Sequence, residues 1–82
     1  MKILIEVVVP GNGRSYDIKL DDNLTVDLAK EKIIEQITVF ENDCISFDKN
    51  AVLFLANVGI NLPGHMNLRK AGVSSGNKIY LL

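Results

Sequence analysis

One stretch of this sequence has the period of an amphipathic helix, whereas the segments on both sides of it have the period of strands. Its apolar residues recur at three- and four-residue steps, at Val26, Ala29, Ile33, Ile37 and Phe40. This spacing predicts a helix of about fifteen residues whose apolar stripe covers one face of a sheet. Thr25 is the predicted N-cap, and Asp27 in the first turn suits the helix dipole.

A β-hairpin is predicted before the helix. Residues 2–9 are rich in β-branched side chains, and residues 16–20 alternate apolar with charged side chains. Between them, 10–14 is a dense turn signal, in which Asn12 and Gly13 supply the positive φ angles that a tight hairpin prefers. Because alternate residues of a strand face opposite sides, six side chains are predicted to point inward. They are Ile3, Ile5, Val7, Tyr16, Ile18 and Leu20.

Three further strands are predicted after the helix. Residues 51–56 form an almost continuous apolar run, which is typical of a strand with both faces covered or with one face available to a partner. Residues 60–62 fit a short strand, and 78–82 fit a last strand with alternating faces. The segment 41–50 is polar except for a short apolar interruption, and the pattern assigns it no element.

This order of elements predicts an α+β fold of the β-grasp type, in which a mixed sheet of four or five strands packs on one helix. The second and third strands cannot form a tight hairpin across a helix of this length. The simplest packing therefore places the first and last strands side by side in the middle of the sheet. A chain of 82 residues has room for one small core, so we expect a single domain spanning residues 1–82.

The composition argues against several classes of partner. A net charge of −1, no Trp and few aromatic residues do not favour nucleic-acid binding. No apolar run approaches the ~18 residues of a membrane span, so direct membrane insertion is not expected. The N-terminal segment lacks a signal-peptide pattern, and the single cysteine, Cys44, cannot form an internal disulfide. These features predict a cytoplasmic protein.

Three segments resemble ubiquitin-like proteins, and the resemblance covers nearly the whole chain. The first segment, 1–6, reads like the start of ubiquitin, and 25–33 is similar to its helix entry. The third carries the closing motif of ubiquitin-like domains, with Asn77 where Asp is usual. Its matching residues are Leu68, Gly72, Val73, Gly76, Asn77, Ile79 and Leu81.

Within that superfamily, the chain most resembles the YukD/EsaB accessory proteins of bacterial type VII (WXG100) secretion. The resemblance rests on small size, on residues 16–20 followed by 21–26, and on an ending without Gly-Gly. It implies a cytoplasmic accessory or regulatory protein that docks on membrane components of the secretion machinery. The chain would then lie at the membrane only through a protein partner.

Two other roles are compatible with a ubiquitin-like fold. A modifier or sulfur carrier needs a flexible C-terminal Gly-Gly, because only glycine lets the backbone fit the channel of an activating enzyme. This sequence ends in Leu81-Leu82, so we expect neither activity unless the chain is processed or truncated. The remaining alternative is a ubiquitin-like scaffold domain cut from a larger protein.

No residue pattern predicts catalysis, a cofactor or a metal site. His65, the only histidine, lies in a predicted surface turn without converging ligands or a base partner. Cys44 has no neighbouring cation in sequence that would lower its pKa, so a small apolar role is expected rather than a nucleophile. The resemblance brings no catalytic residue either, and the chain is predicted not to be an enzyme.

The candidate binding site is a group of apolar side chains on the outer face of the predicted sheet. If Leu53, Leu55, Ile79 and Leu81 face the core, their neighbours face the opposite side. We call this predicted site the sheet patch, and it consists of Val52, Phe54, Tyr80 and Leu82. The resemblance places it where ubiquitin carries its receptor-binding patch. Two alternatives are that Phe54 packs under residues 41–50 and that the strand parity is shifted by one. The patch could also bind a second copy, giving a homodimer.

Overall fold

A computed structural model describes residues 1–42 and 50–82 of the chain. Cys44 and most of the segment 41–50 therefore lie outside the described residues. The elements in chain order are β1 (Lys2–Val9), β2 (Arg14–Asp21), α1 (Val26–Phe40), β3 (Leu53–Leu55), β4 (Ile60–Asn61) and β5 (Lys78–Leu81).

The five strands form one mixed sheet in the order β2-β1-β5-β3-β4. β1 and β5 are central and parallel, with Glu6 opposite Lys78 and Val8 opposite Tyr80. The other neighbouring strands are antiparallel. This is the predicted β-grasp, with the first and last strands side by side.

The core lies between the inner face of the sheet and α1. All six inward residues predicted for the hairpin are buried, and so are Val26, Ala29, Ile33 and Ile37 of the helix stripe. Phe40 is the exception, because it is 68% exposed and lies at the end of the helix. Its ring leans on the edge of the core instead, with a centroid 6.2 Å from that of Tyr16.

The turn between β1 and β2 is longer than the tight hairpin that Asn12-Gly13 predicted. Val9 pairs with Arg14, which leaves four residues in the loop. The carbonyl of Val9 accepts hydrogen bonds from the N–H groups of Asn12 (3.2 Å) and Gly13 (3.0 Å). Only Gly13 of the predicted pair has a positive φ, 70°. The loop therefore closes as a single helical turn with one left-handed residue at its end.

The start of α1 is fixed by its N-cap and by the loop that follows β4. The Thr25 hydroxyl accepts a hydrogen bond from the N–H of Leu28 (3.3 Å), as predicted. The N–H of Asp27 donates to the carbonyl of Gly64 (3.0 Å). A Cβ on Gly64 would lie 2.7 Å from one oxygen of the Asp27 carboxylate, so a glycine allows this close approach.

The closing segment has the two turn glycines that its motif predicted. Gly72 has a φ of 91° and Gly76 a φ of 89°, both in the left-handed region. The N–H of Gly76 donates to the carbonyl of Leu4 (2.8 Å), and Glu6 donates to the carbonyl of Asn77 (2.9 Å). These bonds bring the chain onto β1 and so align β5 in the centre of the sheet.

Candidate protein-binding surface

The sheet patch is assembled by the pairing of β3 with β5. Phe54 lies directly opposite Tyr80 in the antiparallel register. Beyond the end of β3, Val52 and Leu82 exchange both N–H···O=C hydrogen bonds at 3.0 Å. The regular strand is shorter than the predicted 51–56, yet this pair continues the ladder. All four predicted residues thus lie together on two neighbouring chain segments.

The parity of both strands is the predicted one. Leu53 and Leu55 are 1% exposed, and Ile79 is fully buried against them. Their neighbours Phe54 and Tyr80 therefore point to the opposite, outer face. A parity shifted by one is wrong. The other alternative, Phe54 under residues 41–50, involves 43–49, which lie outside the described residues.

Two stacked aromatic rings form the middle of the sheet patch. The rings of Phe54 and Tyr80 are nearly parallel, with an interplanar angle of 13° and centroids 6.2 Å apart. Both side chains are half-buried, while Val52 is 40% and Leu82 56% exposed. Stacking restricts the two rings before any partner arrives, which lowers the entropy that binding would cost.

Val8 extends the sheet patch onto β1, and the sequence analysis missed it. It is half-buried on the outer face and lies opposite Tyr80 in the parallel register. Because Ile5 and Val7 were predicted to point inward, the sequence already indicated that Val8 points outward. Its position beside Tyr80 depends on the register between β1 and β5, which no local pattern encodes.

A charged row borders the patch on the same face. Glu6 lies opposite Lys78 in the parallel register, two residues along each strand from Val8 and Tyr80. On the other side of Glu6, Asp17 of β2 is its antiparallel partner. An apolar centre with a charged border is the usual anatomy of a protein interface.

The described residues contain no arrangement for metal binding. Within 1–42 and 50–82, His, Cys, Asp and Glu side chains nowhere come together in groups of three or more that could hold an ion. His65 is exposed, as its position in a turn predicted. Across the same residues, no helix combines the length and the apolar composition that crossing a membrane requires.

A second side-chain network, which we call the polar latch, joins the hairpin to the end of α1. Arg14 Nη1 donates to both carboxylate oxygens of Glu41, at 3.0 and 3.1 Å. The Tyr16 hydroxyl donates to Glu41 Oε1 (3.0 Å) and accepts from Asn12 Nδ2 (3.1 Å). The latch compensates a carboxylate at the negative end of the helix dipole. It lies on the hairpin side of the molecule, away from the sheet patch.

One carboxyl group at the end of β2 has a shifted pKa. The N–H of Asn23 donates to Asp21 Oδ1 (3.0 Å), which holds the pKa of that carboxyl below its ordinary value. Asp21 is partly exposed at the end of the edge strand β2, so the shift concerns the turn and not the sheet patch.

Known structures with the same arrangement include ubiquitin-like domains from a plant and a bacterium. A ubiquitin-like domain of an Arabidopsis thaliana protein has a TM-score of 0.69 and 23% identity, covering 99% of this chain and 76% of that one. The EccD5 ubiquitin-like domain from Mycobacterium xenopi has a TM-score of 0.79 and 12% identity, covering 100% and 93%.

A third similar structure belongs to an assembly. A chain of the MycP5-free ESX-5 inner membrane complex matches with a TM-score of 0.78 and 16% identity over 99% of this chain. Because the match covers 20% of that chain, this protein spans about a fifth of its length. No protein-family model and no curated protein matches the sequence. At these identities the likeness shows the fold, which is the ubiquitin-like β-grasp.

Proposed function

We propose that this chain is a non-catalytic protein-binding module of a bacterial type VII (WXG100) secretion system. In this proposal it is an accessory or regulatory protein of the YukD/EsaB kind, and its sheet patch docks on a membrane component of the machinery. The observation that carries the proposal is the outer sheet face. There an aromatic pair and two exposed aliphatic side chains lie together, although the core does not need them.

The patch has the features of an interface centre. Phe54 and Tyr80 are large, rigid side chains, which contribute much contact area for little conformational entropy. Val52 and Leu82 flank them, and the Glu6–Lys78 row supplies a polar margin. Covering an exposed side chain of this size contributes ~1.5–3 kcal/mol at most, so a few such residues can carry a specific contact.

The secretion context is supported by the similar structures. The EccD5 ubiquitin-like domain and a chain of the ESX-5 inner membrane complex share this fold over nearly all of the present chain. A domain of the same shape would suit a partner surface in such an assembly. The protein would then lie in the cytoplasm, at the membrane only through that partner.

The proposal is tested by capture from the native cells. Tagged wild-type protein should co-purify with membrane components of the secretion machinery, identified by mass spectrometry. Phe54→Asp and Tyr80→Asp each place a carboxylate in the centre of the sheet patch, where a partner would desolvate it. Each should lower capture by at least ~30-fold, the equivalent of a hot-spot loss of about 2 kcal/mol.

Leu28→Asp is the matched control, because Leu28 is 49% exposed on the helix, away from the patch. It should capture the same components as the wild type. Circular dichroism and amide NMR spectra establish that all three variants are folded. Equal capture by folded Phe54→Asp and Tyr80→Asp variants would rule out the sheet patch as the docking surface. Covalent ladders on many proteins would identify a modifier instead.

A further inference from the structure

β2 is an eight-residue strand with a free edge. Leu4 accepts from the N–H of Gly76, and Glu6 donates to Asn77, so the backbone groups of these two residues point toward β5. Their neighbours in β1 must then pair with β2, since N–H and C=O groups alternate sides along a strand. In β2 the residues left pointing away from β1 are Ser15, Asp17, Lys19 and Asp21. The carbonyl of Asp21 already accepts a hydrogen bond from the N–H of Leu24 (3.1 Å), so the open positions are the first three.

We call the outward N–H and C=O groups of Ser15, Asp17 and Lys19 the β2 edge. Among residues 1–42 and 50–82, these groups have no hydrogen-bond partner. The three side chains are exposed and lie on the outer face of the sheet. An open edge of this length is a template for another strand. The opposite edge of the sheet, β4, is only two residues long.

We propose that the β2 edge pairs antiparallel with the β2 edge of a second copy of this chain, about a two-fold axis at Ile18. In this register Asp17 lies opposite Lys19 of the second copy, and Lys19 opposite its Asp17. Both are hydrogen-bonded pairs, because all four residues point their backbone groups outward. The pairing would make one continuous sheet from two molecules, closed by its own symmetry.

The charges of the edge select this register over its neighbours. A shift of the axis by one residue toward the start of β2 puts Asp17 opposite Asp17 of the second copy. A shift toward the end puts Lys19 opposite Lys19. Like charges directly opposite each other destabilise a strand pair, whereas opposite charges stabilise it. Of these three axes, only the one at Ile18 gives two attractive pairs. An axis at Leu20 would pair Lys19 with Asp21 of the second copy, but the carbonyl of Asp21 already accepts a hydrogen bond from the N–H of Leu24 (3.1 Å).

Two features of the single molecule also favour the second copy. Asp17 lies opposite Glu6 of β1, a like-charged neighbour that Lys19 of the second copy would offset. On the inner face the pairing sets Tyr16 opposite Leu20 of the second copy. Phe40, which leans on Tyr16 and is 68% exposed, lies beside this contact and would be covered with it.

A charge-swap series tests the pairing with the full chain. Sedimentation at increasing protein concentration should show a monomer–dimer equilibrium for the wild type. Asp17→Lys and Lys19→Asp each turn both attractive pairs into repulsive ones, so each should raise the dimer dissociation constant about tenfold or more. The double variant Asp17→Lys/Lys19→Asp restores opposite charges and should dimerise like the wild type.

Mixing the two single variants is the sharpest arm of the test. Each repels itself, yet an equimolar mixture places opposite charges at both pairs and should form a heterodimer. Phe54→Asp is the control for dimerisation through the sheet patch and should leave the equilibrium unchanged. A wild type that stays monomeric into the millimolar range would overturn the proposal. So would a dimer that is indifferent to both single swaps, or one that Phe54→Asp abolishes.

Discussion

The two halves of the sheet have similar apolar inner faces, but their outer faces differ in polarity. β2 and β1 are long strands of a local hairpin, and their outer face is mainly charged and polar. In the other half, the consecutive short strands β3 and β4 pair with the later strand β5, and β3 and β5 carry the aromatic pair on the outer face. Inner residues of both halves, such as Ile18 and Ile79, are fully buried.

This contrast separates what the fold requires from what it leaves free. The core is complete in both halves without any contribution from the outer face. The outer face of the hairpin is mainly charged, which shows that the fold tolerates charged residues there. Folding therefore does not require apolar residues on the outer face of β3 and β5. The proposed binding role rests on the fact that these apolar side chains lie together, because single exposed apolar residues are common on protein surfaces.

The largest expected effect comes from breaking the seam between the halves. Ile79 is fully buried on β5, between Val7 of β1 and Leu55 of β3. Ile79→Ala should lower the free energy of unfolding by ~2–5 kcal/mol, through lost burial and a cavity. Urea unfolding measures this, with Lys78→Ala on the outer face as the control. A loss below ~1 kcal/mol would mean that the seam is not tightly packed.

A smaller effect should come from the turn that leads into β5. Gly76 has a φ of 89°, which a side chain tolerates poorly, although the space around it is open. Gly76→Ala should therefore cost ~1–2 kcal/mol of stability. Gly11 in the hairpin loop also has open space but no positive φ, so Gly11→Ala should be close to neutral. Equal thermal unfolding midpoints for the two variants would contradict this explanation.

The hydroxyl groups of the two tyrosines, one in each half of the sheet, differ in their hydrogen bonds. The Tyr16 hydroxyl is part of the polar latch, whereas the Tyr80 hydroxyl has no hydrogen-bond partner among residues 1–42 and 50–82. Tyr16→Phe should lower stability by about 1 kcal/mol and leave Glu41 with one partner fewer. Tyr80→Phe should change stability by less than about 0.5 kcal/mol. Chemical denaturation of the two variants side by side gives the comparison, and a larger loss for Tyr80→Phe would refute it.

The smallest effect concerns pH and the end of β2. The folded pKa of Asp21 is lowered, so its ionised form stabilises the fold above the unfolded pKa. This contribution is lost as the pH falls through the folded pKa. Asp21→Asn should thus be slightly less stable than the wild type at neutral pH and should equal it in acid. A stability difference that is constant with pH would show that the carboxylate charge plays no part.

Most of the fold follows from local patterns in the sequence. The helix bounds, its Thr25 cap and the inward residues of the hairpin are set by period and parity, which are properties of neighbouring residues. Phe40 fits the period yet is exposed, because the helix ends there at the edge of the core. The hairpin loop was misjudged because its length depends on the pairing of Val9 with Arg14, and that pairing belongs to the whole sheet.

The candidate site was predicted where parity alone decides it. The outward direction of Phe54 and Tyr80 follows from the buried residues on either side of them. Their stacking, and the place of Val8 beside Tyr80, follow from registers between strands that are far apart in sequence. Hydrophobic patterns give the face of a strand and not its partner. The binding role of the patch stays a prediction.

The parallel pairing of β1 with β5 determines how this protein can be made. During synthesis, β1, β2 and α1 emerge from the ribosome first. The hairpin can then form, and the helix can pack on it. One edge of β1 still lacks its neighbouring strand, because β5 is the last strand in chain order. Until residues 78–81 are available, the centre of the sheet stays open, and exposed apolar surface of this kind makes a partly folded chain prone to aggregation. The hairpin and α1 can therefore form before the central strand pair of the sheet, which closes only when β5 has been made.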